Sequence, residues 1–288
     1  MSIFLDFDGT ITVHDTIGEV ANFALRVRAD EGEDLADAWD GVVRAYMDDY
    51  RGHVDGYHLP EGQRRCPQDE VGFLRDMKPV ELQSLGRIRQ CGVFRDITPD
   101  RFYEAGRRAV HDPDGKVRLR AGFREFARAR LSEGWRLWVV SVNWSAAFIA
   151  GALGVPEITV IANTVRSDGS VAGPDILNQD AGDVGGAVEH RNLTNSCDKL
   201  AVVETVLQQT GSLRGKPTFY FGDSITDLEC LLRTDYGVVI SDKEDSTLLK
   251  TLGRVGKKVS HSTDAGSKTR LSWASSYDEV EKHVTFTL

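Results

Sequence analysis

Two carboxylates separated by a single residue end the first hydrophobic run of the chain, in the segment Ile3-Phe4-Leu5-Asp6-Phe7-Asp8-Gly9-Thr10. The run predicts a buried β-strand, so Asp6 and Asp8 would lie at the carboxyl end of a sheet, where open α/β folds bind their ligands. Residues two apart on an extended chain point the same way, and Gly9 lets the backbone bend after them. This spacing favours a site for a cation and a phosphate. A turn of the Asx type without any ligand is the alternative that this short segment leaves open.

A carboxylate at such a position can attack phosphorus and form a covalent intermediate, which divides one difficult displacement into two easier ones. The phosphate it approaches is already anionic, so a cation has to neutralise the repulsion. Mg²⁺ prefers oxygen ligands and keeps several waters, so one or two protein carboxylates and a phosphate oxygen suffice to hold it. The chemistry indicated here is metal-assisted attack of a carboxylate on phosphorus.

Further polar residues follow other predicted strands. Ser141 ends the run Val139-Val140-Ser141, and Asp223 follows Phe219-Tyr220-Phe221-Gly222, with Asp227 one helical turn further on. Lys199 opens a predicted helix whose amino end faces the same edge of the sheet, whereas Lys216 precedes a strand and should lie at the opposite edge. Acidic side chains clustered at one edge raise one another's pKa values, so the cluster predicts a bound cation.

The second half of the chain alternates between strands and helices. Strands are predicted at 2–7, 136–142, 157–163, 217–222 and 236–240, and helices at 119–133, 145–153, 198–209 and 225–233, with weaker helical patterns at 244–252 and 276–284. Strands separated by helix-length segments indicate parallel βαβ units. The predicted fold class is therefore α/β, with a Rossmann-like parallel sheet.

The pattern changes between Asp15 and Lys116, where apolar residues recur at helical spacing and prolines mark the helix limits. We predict two domains: a catalytic core formed by residues 1–14 and 117–288, and an all-helical insertion formed by residues 15–116. An independent helical domain that binds a partner is the alternative for the insertion.

The four motifs occur in the order that the haloacid dehalogenase superfamily requires, and the chain resembles phosphatases of that superfamily. The resemblance implies a helical cap over the site, Asp6 as nucleophile and Asp8 as general acid/base. It implies that Ser141 and Lys199 bind the substrate phosphate. Mg²⁺ would be held by the side chains of Asp6 and Asp223 and by the backbone carbonyl of Asp8, with support from Asp227.

Within the superfamily, the segment Asp6 to Ala21 and the run Ile161-Ala162-Asn163 are similar to phosphoserine phosphatases and to methionine-salvage phosphatases that act on a hydroxyketo-methylthiopentenyl phosphate. Asp15 stands where phosphoserine phosphatases carry a Glu that faces the substrate amine. After Ser141 the chain has Val142-Asn143, where the phosphoserine phosphatases carry two glycines. The helical insertion also looks longer than the cap of those enzymes. Asp15 and Asn143 are expected to affect substrate selectivity, and phosphoserine is not assigned as the substrate.

The function predicted from these residues is Mg²⁺-dependent hydrolysis of a small phosphate monoester through an aspartyl-phosphate. A phosphotransferase would use the same residues up to that intermediate, and a phospho-ligand-binding protein without catalysis is a further alternative. The net charge of −9 argues against a nucleic-acid partner. A small phosphorylated metabolite is the expected partner, and the sequence leaves the oligomeric state open.

Two features concern the compartment. Cys66, Cys91, Cys197 and Cys230 form no CxxC pattern and are expected to be reduced thiols of a cytoplasmic protein, with no room for a signal peptide before Asp6.

No charged residue occurs from Leu137 to Pro156, a length that could span a membrane. Ser141, Asn143 and Ser145 interrupt this stretch, so we predict a buried strand, a turn and a helix, and no membrane association.

Overall fold

The computed structural model describes residues 1–179, 191–211, 216–264 and 269–286 of the chain. The strands in these residues are β1 (Ser2–Leu5), β2 (Arg136–Val140), β3 (Thr159–Ile161), β4 (Thr164–Val165), β5 (Val171–Ala172), β6 (Thr218–Gly222), β7 (Tyr236–Ile240), β8 (Ser260–His261) and β9 (Leu271–Ala274). Seven of them form one sheet in the order β3-β2-β1-β6-β7-β9-β8, in which all neighbouring strands are parallel. The prediction of an α/β fold with a parallel sheet is confirmed.

The helices in the described residues are α1 (Ile17–Asp30), α2 (Ala36–Gly56), α3 (Pro67–Asp76), α4 (Lys78–Cys91), α5 (Pro99–Ala109), α6 (Phe123–Ser132), α7 (Ala146–Leu153), α8 (Ser196–Gln209), α9 (Leu228–Arg233), α10 (Thr247–Arg254) and α11 (Tyr277–His283). Pro67 and Pro99 occupy the first position of their helices, where proline's missing N–H has no intrahelical partner to lose. Short 3₁₀ turns lie at Glu61–Gln63, Asp175–Leu177 and Ile225–Asp227.

The central strand β1 is buried on both faces because helices cover the sheet on both sides. Ile3 and Leu5 belong to a hydrophobic cluster with α6, α7 and α11, whereas Phe4 points to the opposite cluster with α8, α9 and α10. A strand covered in this way reads as a continuous apolar run, which is why its position was visible in the sequence. Strands β8 and β9 were not predicted, because β8 has two residues and Ser272 interrupts the apolar pattern of β9.

The parallel register aligns the ends of the central strands. Leu5 of β1 pairs with Val139 of β2 on one side and with Phe221 of β6 on the other. The residues that follow these three strands therefore lie side by side at one edge of the sheet. At the other edge Ser2 pairs with Thr218, and Lys216 lies near that edge, as expected.

Helices α1 to α5 form the insertion after β1, so the predicted helical cap is confirmed as part of the fold. The segments that leave and rejoin the sheet run antiparallel to each other, with a bridge between Thr12 and Leu119 and a hydrogen bond from Val13 N–H to the Arg118 carbonyl. The boundaries at residues 15 and 116 stay a prediction.

The insertion packs closely on the sheet layer at two places. Helices α5 and α7 cross so tightly that a Cβ on Gly106 would lie 2.0 Å from the carbonyl oxygen of Phe148. On the other side, Phe73, Leu74 and Met77 join the cluster that contains α8. Helical periodicity alone does not show that Gly106, or Phe73, Leu74 and Met77, make these contacts with the sheet layer.

The uncharged stretch from Leu137 to Pro156 consists of β2, a loop and α7, as predicted. In the part of the chain that the structure describes, no helix combines the length and the apolar composition needed to cross a membrane. Strands β4 and β5 form a hairpin after Asn163, with Gly169 in its turn at φ 79°. The segment 174–197, whose sequence has no helical or strand periodicity, lies partly outside the described residues.

Candidate active site

Three adjacent strands bring the first group of candidate residues together. Asp6 follows β1, Ser141 follows β2 and Asp223 follows β6, all at the same edge. The backbone N–H of Asp6 donates to the carbonyl of Phe221 at 2.8 Å, and that of Ser141 donates to the carbonyl of Ile161 at 3.1 Å. The parallel sheet thus fixes the backbone at each candidate position.

The centre of the site is an ion-pair cluster of Asp6, Lys199 and Asp227. The Lys199 ammonium lies 2.8 Å from Asp6 Oδ1 and 2.7 Å from Asp227 Oδ1, and its side chain is fully buried. Burial by itself lowers the pKa of Lys199, but the charges of Asp227 and Asp6 outweigh it and raise that pKa. Lys199 is therefore a permanent buried cation beside Asp6.

The two oxygens of Asp227 are already engaged by neighbouring groups. Oδ1 accepts hydrogen bonds from Lys199 and from the Tyr220 hydroxyl, at 2.7 Å each. Oδ2 accepts from the backbone N–H groups of Asp223 and Ser224, both at 3.1 Å. Asp227 therefore positions Lys199 and the loop that carries Asp223, and the support of a metal ion expected from it stays a prediction.

Asp223 faces the turn after β1. Its Oδ1 accepts a hydrogen bond of 2.9 Å from the Thr10 hydroxyl. A Cβ on Gly9 would lie 2.2 Å from Asp223 Oδ2, and Gly9 has φ 73°, so both the space and the backbone require glycine there. Burial, and next the charge of Asp227, raise the pKa of Asp223 to about 7.

This cluster fits a divalent cation. One carboxylate oxygen from each of Asp6, Asp223 and Asp227 can be chosen so that all lie within 4.8 Å of one another. Burial and the charge of Asp227 also raise the pKa of Asp6 well above its ordinary value, against the opposing effect of Lys199. The negative charge at this edge is thus not fully balanced by protein groups, and hard oxygen ligands of this kind suit Mg²⁺. Asp6 and Asp223 would hold the ion directly.

Asp8 is held apart from this cluster. Its Oδ1 accepts hydrogen bonds from the backbone N–H and the hydroxyl of Thr16, at 2.7 and 2.6 Å. Its Oδ2 accepts one of 2.9 Å from the Asn143 amide. Asn143 is fully buried, so the structure places it against Asp8 rather than in open space for a substrate. Ser141 is buried next to it, with its hydroxyl accepting from the Asn143 backbone N–H at 3.0 Å.

A cavity of about 430 Å³ adjoins the site between the insertion and the sheet. Its wall includes Asp15, together with Val142 and Thr226, which lie next to the candidate residues in sequence. Asp15 lies at the exposed side of the cavity wall, where partial desolvation and then the charge of Asp8 raise its pKa. Asp15 Oδ1 also accepts a hydrogen bond of 2.7 Å from the backbone N–H of Ile17.

The rest of the cavity wall is mainly aromatic and apolar. Trp39 from α2 and Trp144 from the loop after β2 meet edge to face, with ring centroids 5.9 Å apart. The Tyr46 hydroxyl donates to Glu81 at 3.0 Å, and burial raises the pKa of Glu81. The described residues that line the cavity include two carboxylates, Asp15 and Glu81, and no Lys, Arg or His.

Several of these residues were not found by sequence reasoning. Thr10 and Thr16 lie in the segment that carries the first motif, but a hydroxyl there has no distinctive spacing. Tyr220 read as one more apolar residue of β6. Glu81 lies far from the motifs in sequence, and only the packing of α4 brings it to the cavity.

Comparisons with known proteins agree with this geometry. The bifunctional TH2 protein, mitochondrial, of Arabidopsis thaliana is 25% identical over 279 residues, which are 88% of this chain and 40% of that protein. The chain thus spans less than half the length of that relative. Cold tolerance protein 1 of Saccharomyces cerevisiae is 26% identical over 275 residues, which cover 85% of this chain and 80% of the relative.

Among solved structures, a substrate-bound phosphoserine phosphatase aligns with a TM-score of 0.51 at 15% identity, covering 99% of this chain and 98% of the other. This likeness concerns the fold. Residues 3–232 match the haloacid dehalogenase-like hydrolase family, a range that includes Asp6, Asp8, Ser141, Lys199 and Asp223. The chain therefore belongs to the haloacid dehalogenase-like hydrolase family.

Proposed function

We propose that this protein is a Mg²⁺-dependent phosphatase that hydrolyses a small phosphate monoester through an aspartyl-phosphate on Asp6. One observation carries the proposal. Asp6 is a buried carboxylate with a buried cation 2.8 Å away and a second carboxylate group within reach of a shared metal ion, while Asp8 is held separately by other partners. Nucleophile, charge compensation and proton donor are thus distinct groups at one sheet edge.

In the first step an Asp6 oxygen attacks phosphorus, forming an acyl-phosphate bond as the bond from phosphorus to the ester oxygen breaks. Asp8 gives a proton to the departing oxygen. In the second step Asp8 takes a proton from water, whose oxygen attacks phosphorus and releases inorganic phosphate, and the Asp6 carboxylate is regenerated. General acid/base catalysis by one group in both directions contributes about a hundred- to ten-thousandfold in such reactions.

Lys199 is suited to neutralise both Asp6 and a phosphoryl oxygen, because it is fixed by Asp227 and its raised pKa keeps it charged. The Ser141 hydroxyl follows β2, next to the strand that carries Asp6, and is proposed to donate to another phosphoryl oxygen. Mg²⁺ held by Asp6, Asp223 and the Asp8 carbonyl supplies further positive charge against the phosphate when bound.

The cavity supports a particular kind of leaving group. Aromatic and aliphatic walls favour an apolar body, and Asp15 and Glu81 favour an amine or another cationic or hydrogen-bond-donating group. A substrate with an additional carboxylate, such as phosphoserine, would bring a third carboxylate next to Asp15 and Glu81. The described lining of the cavity has no Lys, Arg or His to neutralise it. We therefore propose a phosphate ester of an apolar or aromatic alcohol that carries an amine or hydroxyl.

The proposal is tested by assaying phosphate release from a panel of phosphorylated metabolites with Mg²⁺ and with a chelator. Asp6→Asn should abolish turnover with the fold intact. Asp245→Asn, at an exposed carboxylate paired with Lys250, is the matched control and should keep wild-type activity. Adding a small alcohol and measuring its phosphorylated product distinguishes transfer from hydrolysis.

Substantial activity of Asp6→Asn, or full activity after removal of divalent ions, would contradict the mechanism. Phosphorylation of the added alcohol in preference to phosphate release would instead assign the chain as a phosphotransferase.

A further inference from the structure

Asn143 makes contacts that a role in substrate binding does not explain. Its side chain is fully buried, and its Nδ2 donates to Asp8 Oδ2 at 2.9 Å and lies 3.4 Å from the Thr16 hydroxyl. Both hydrogens of the amide nitrogen thus have partners within the protein. Little donor capacity remains for a ligand.

The orientation of this amide is set by its other end. Asn143 Oδ1 accepts a hydrogen bond of 3.2 Å from the Ser145 backbone N–H, so Nδ2 has to be the group that faces Asp8. The backbone carbonyls of Val142 and Asn143 are held in turn by the buried amide of Asn163, at 3.0 and 3.1 Å. The donor that meets Asp8 is therefore presented by a fixed loop.

Asp8 is held at both oxygens. Thr16 donates twice to Oδ1, and Asn143 donates to Oδ2, so the plane of the carboxyl group is fixed from opposite sides. We propose that Asn143 is a positioning residue that aims Asp8 at the leaving oxygen. This inference rests on the proposed phosphatase activity, and it differs from the selectivity role expected for Asn143 from its sequence position.

Loss of this positioning should affect substrates unequally. An alkyl alcohol leaves poorly without a proton, so its expulsion depends on a well-aimed acid. A nitrophenolate leaves as a stable anion and needs little protonation. Removing a group that acts on Asp8 must therefore change how kcat/KM depends on the leaving group. Removing a group that supports only the fold or the binding of phosphate lowers kcat/KM by the same factor for all substrates.

The experiment measures kcat/KM of wild type and Asn143→Ala with p-nitrophenyl phosphate and with alkyl phosphates, since kcat/KM reports on the step in which the leaving group departs. We expect a loss of about ten- to a hundredfold for the alkyl esters, the range of a charge-assisted hydrogen bond, and less than about threefold for p-nitrophenyl phosphate. Ser145→Ala is the matched control, because it removes the hydrogen bond that the Phe148 backbone N–H of α7 donates to Ser145 Oγ, and the Ser145 side chain does not contact Asp8. It should change both substrate classes by the same factor.

Thr16→Val is a second variant that removes the hydroxyl contact on the other oxygen of Asp8 with little change in shape, and it should reproduce the unequal loss if Asn143→Ala does not fold. Equal losses on both substrate classes in an active enzyme would overturn the positioning role and leave the proposed function standing. Absence of any phosphatase activity in the wild type would overturn the proposed function, and this inference with it.

Discussion

Asp223→Asn should make the metal-free protein more stable at high pH. In the unfolded chain the Asp223 carboxyl has the ordinary aspartate pKa of 3.8. In the folded wild type, burial and the charge of Asp227 raise this pKa to about 7. The folded protein therefore binds this proton more tightly than the unfolded chain. The stability linked to it is fully present below about pH 4 and is lost as the pH rises through about 7.

The pKa difference sets the size of the effect. Since one pKa unit corresponds to about 1.4 kcal/mol, charging Asp223 lowers the free energy of unfolding by about 4 kcal/mol well above pH 7. Roughly 2 to 3 kcal/mol of this develops between about pH 5 and about pH 8. Asparagine has a similar shape, can still accept the hydrogen bond from Thr10, and carries no charge.

The assay is urea unfolding of both proteins with a chelator, at about pH 5 and about pH 8. The stability of the variant relative to the wild type should increase by roughly 2 to 3 kcal/mol between the two conditions. Added Mg²⁺ should stabilise the wild type at the higher pH, and it should stabilise the variant much less. A difference between the two proteins that does not depend on pH would refute the reasoning, and so would equal stabilisation of both by Mg²⁺.

Further predictions concern selectivity, cap packing and cap motion. Asp15→Ala should lower kcat/KM for the natural substrate by roughly ten- to a hundredfold, because a charge-assisted hydrogen bond is lost, and should change p-nitrophenyl phosphate hydrolysis little; equal losses on both would show that Asp15 serves the chemistry or the fold. Gly106→Ala should lower the free energy of unfolding by about 2 kcal/mol or more, because the new methyl meets the Phe148 carbonyl. Gly86→Ala on α4, where a Cβ meets nothing within 4 Å, is the control and should stabilise by about 0.5 to 1 kcal/mol; a gain in stability for Gly106→Ala like that of the control would show that the crossing of α5 and α7 is not tight. The helical cap should move relative to the sheet when trifluoroberyllate binds, pivoting on the paired segments near Thr12 and Leu119, and crystal structures with and without the mimic that superpose in every helix would contradict this.

The sequence predicted which of the candidate residues would lie side by side, because the signals for strand ends are local. A buried parallel strand is a short apolar run, and the polar residue that ends it is recognisable by position alone. This is how Asp6, Ser141 and Asp223 were found, and the parallel register then brings them together without further information. Lys199 was expected at the same edge from the direction of its helix, and its ammonium lies 2.8 Å from Asp6 Oδ1.

The roles that depend on side-chain contacts could not be read in the same way. Asn143 was expected to affect selectivity because it departs from a family pattern, and this stays a prediction; the contact of its amide with Asp8 was not predicted. Whether a side chain two residues past a strand points to substrate or to a neighbouring carboxylate depends on the loop, which Asn163 holds from another strand end. Contacts of this kind link residues far apart in sequence.

The insertion shows the same limit on a larger scale. Helical periodicity predicted a helical insertion, and helices α1 to α5 lie there, but it did not predict which of their faces meet. The crossing of α5 on α7 depends on Gly106, and the glycine reads only as a weak helix former in the sequence. The position of Glu81 in the cavity follows from the packing of α4 on α2, where the Tyr46 hydroxyl donates to it, so the second carboxylate of the cavity was not predicted.

The central claim, a phosphoryl group carried by Asp6, is tested most directly by trapping it. Asp8→Asn should still be phosphorylated by p-nitrophenyl phosphate, whose leaving group needs no acid, but it should hydrolyse the intermediate slowly because the general base is gone. Acid quenching followed by peptide mass analysis should then find close to one phosphoryl group per chain, on the peptide that contains Asp6, and hydroxylamine should remove it. Continued turnover with no phosphorylated peptide, or a phosphoryl group on a residue other than Asp6, would contradict the account.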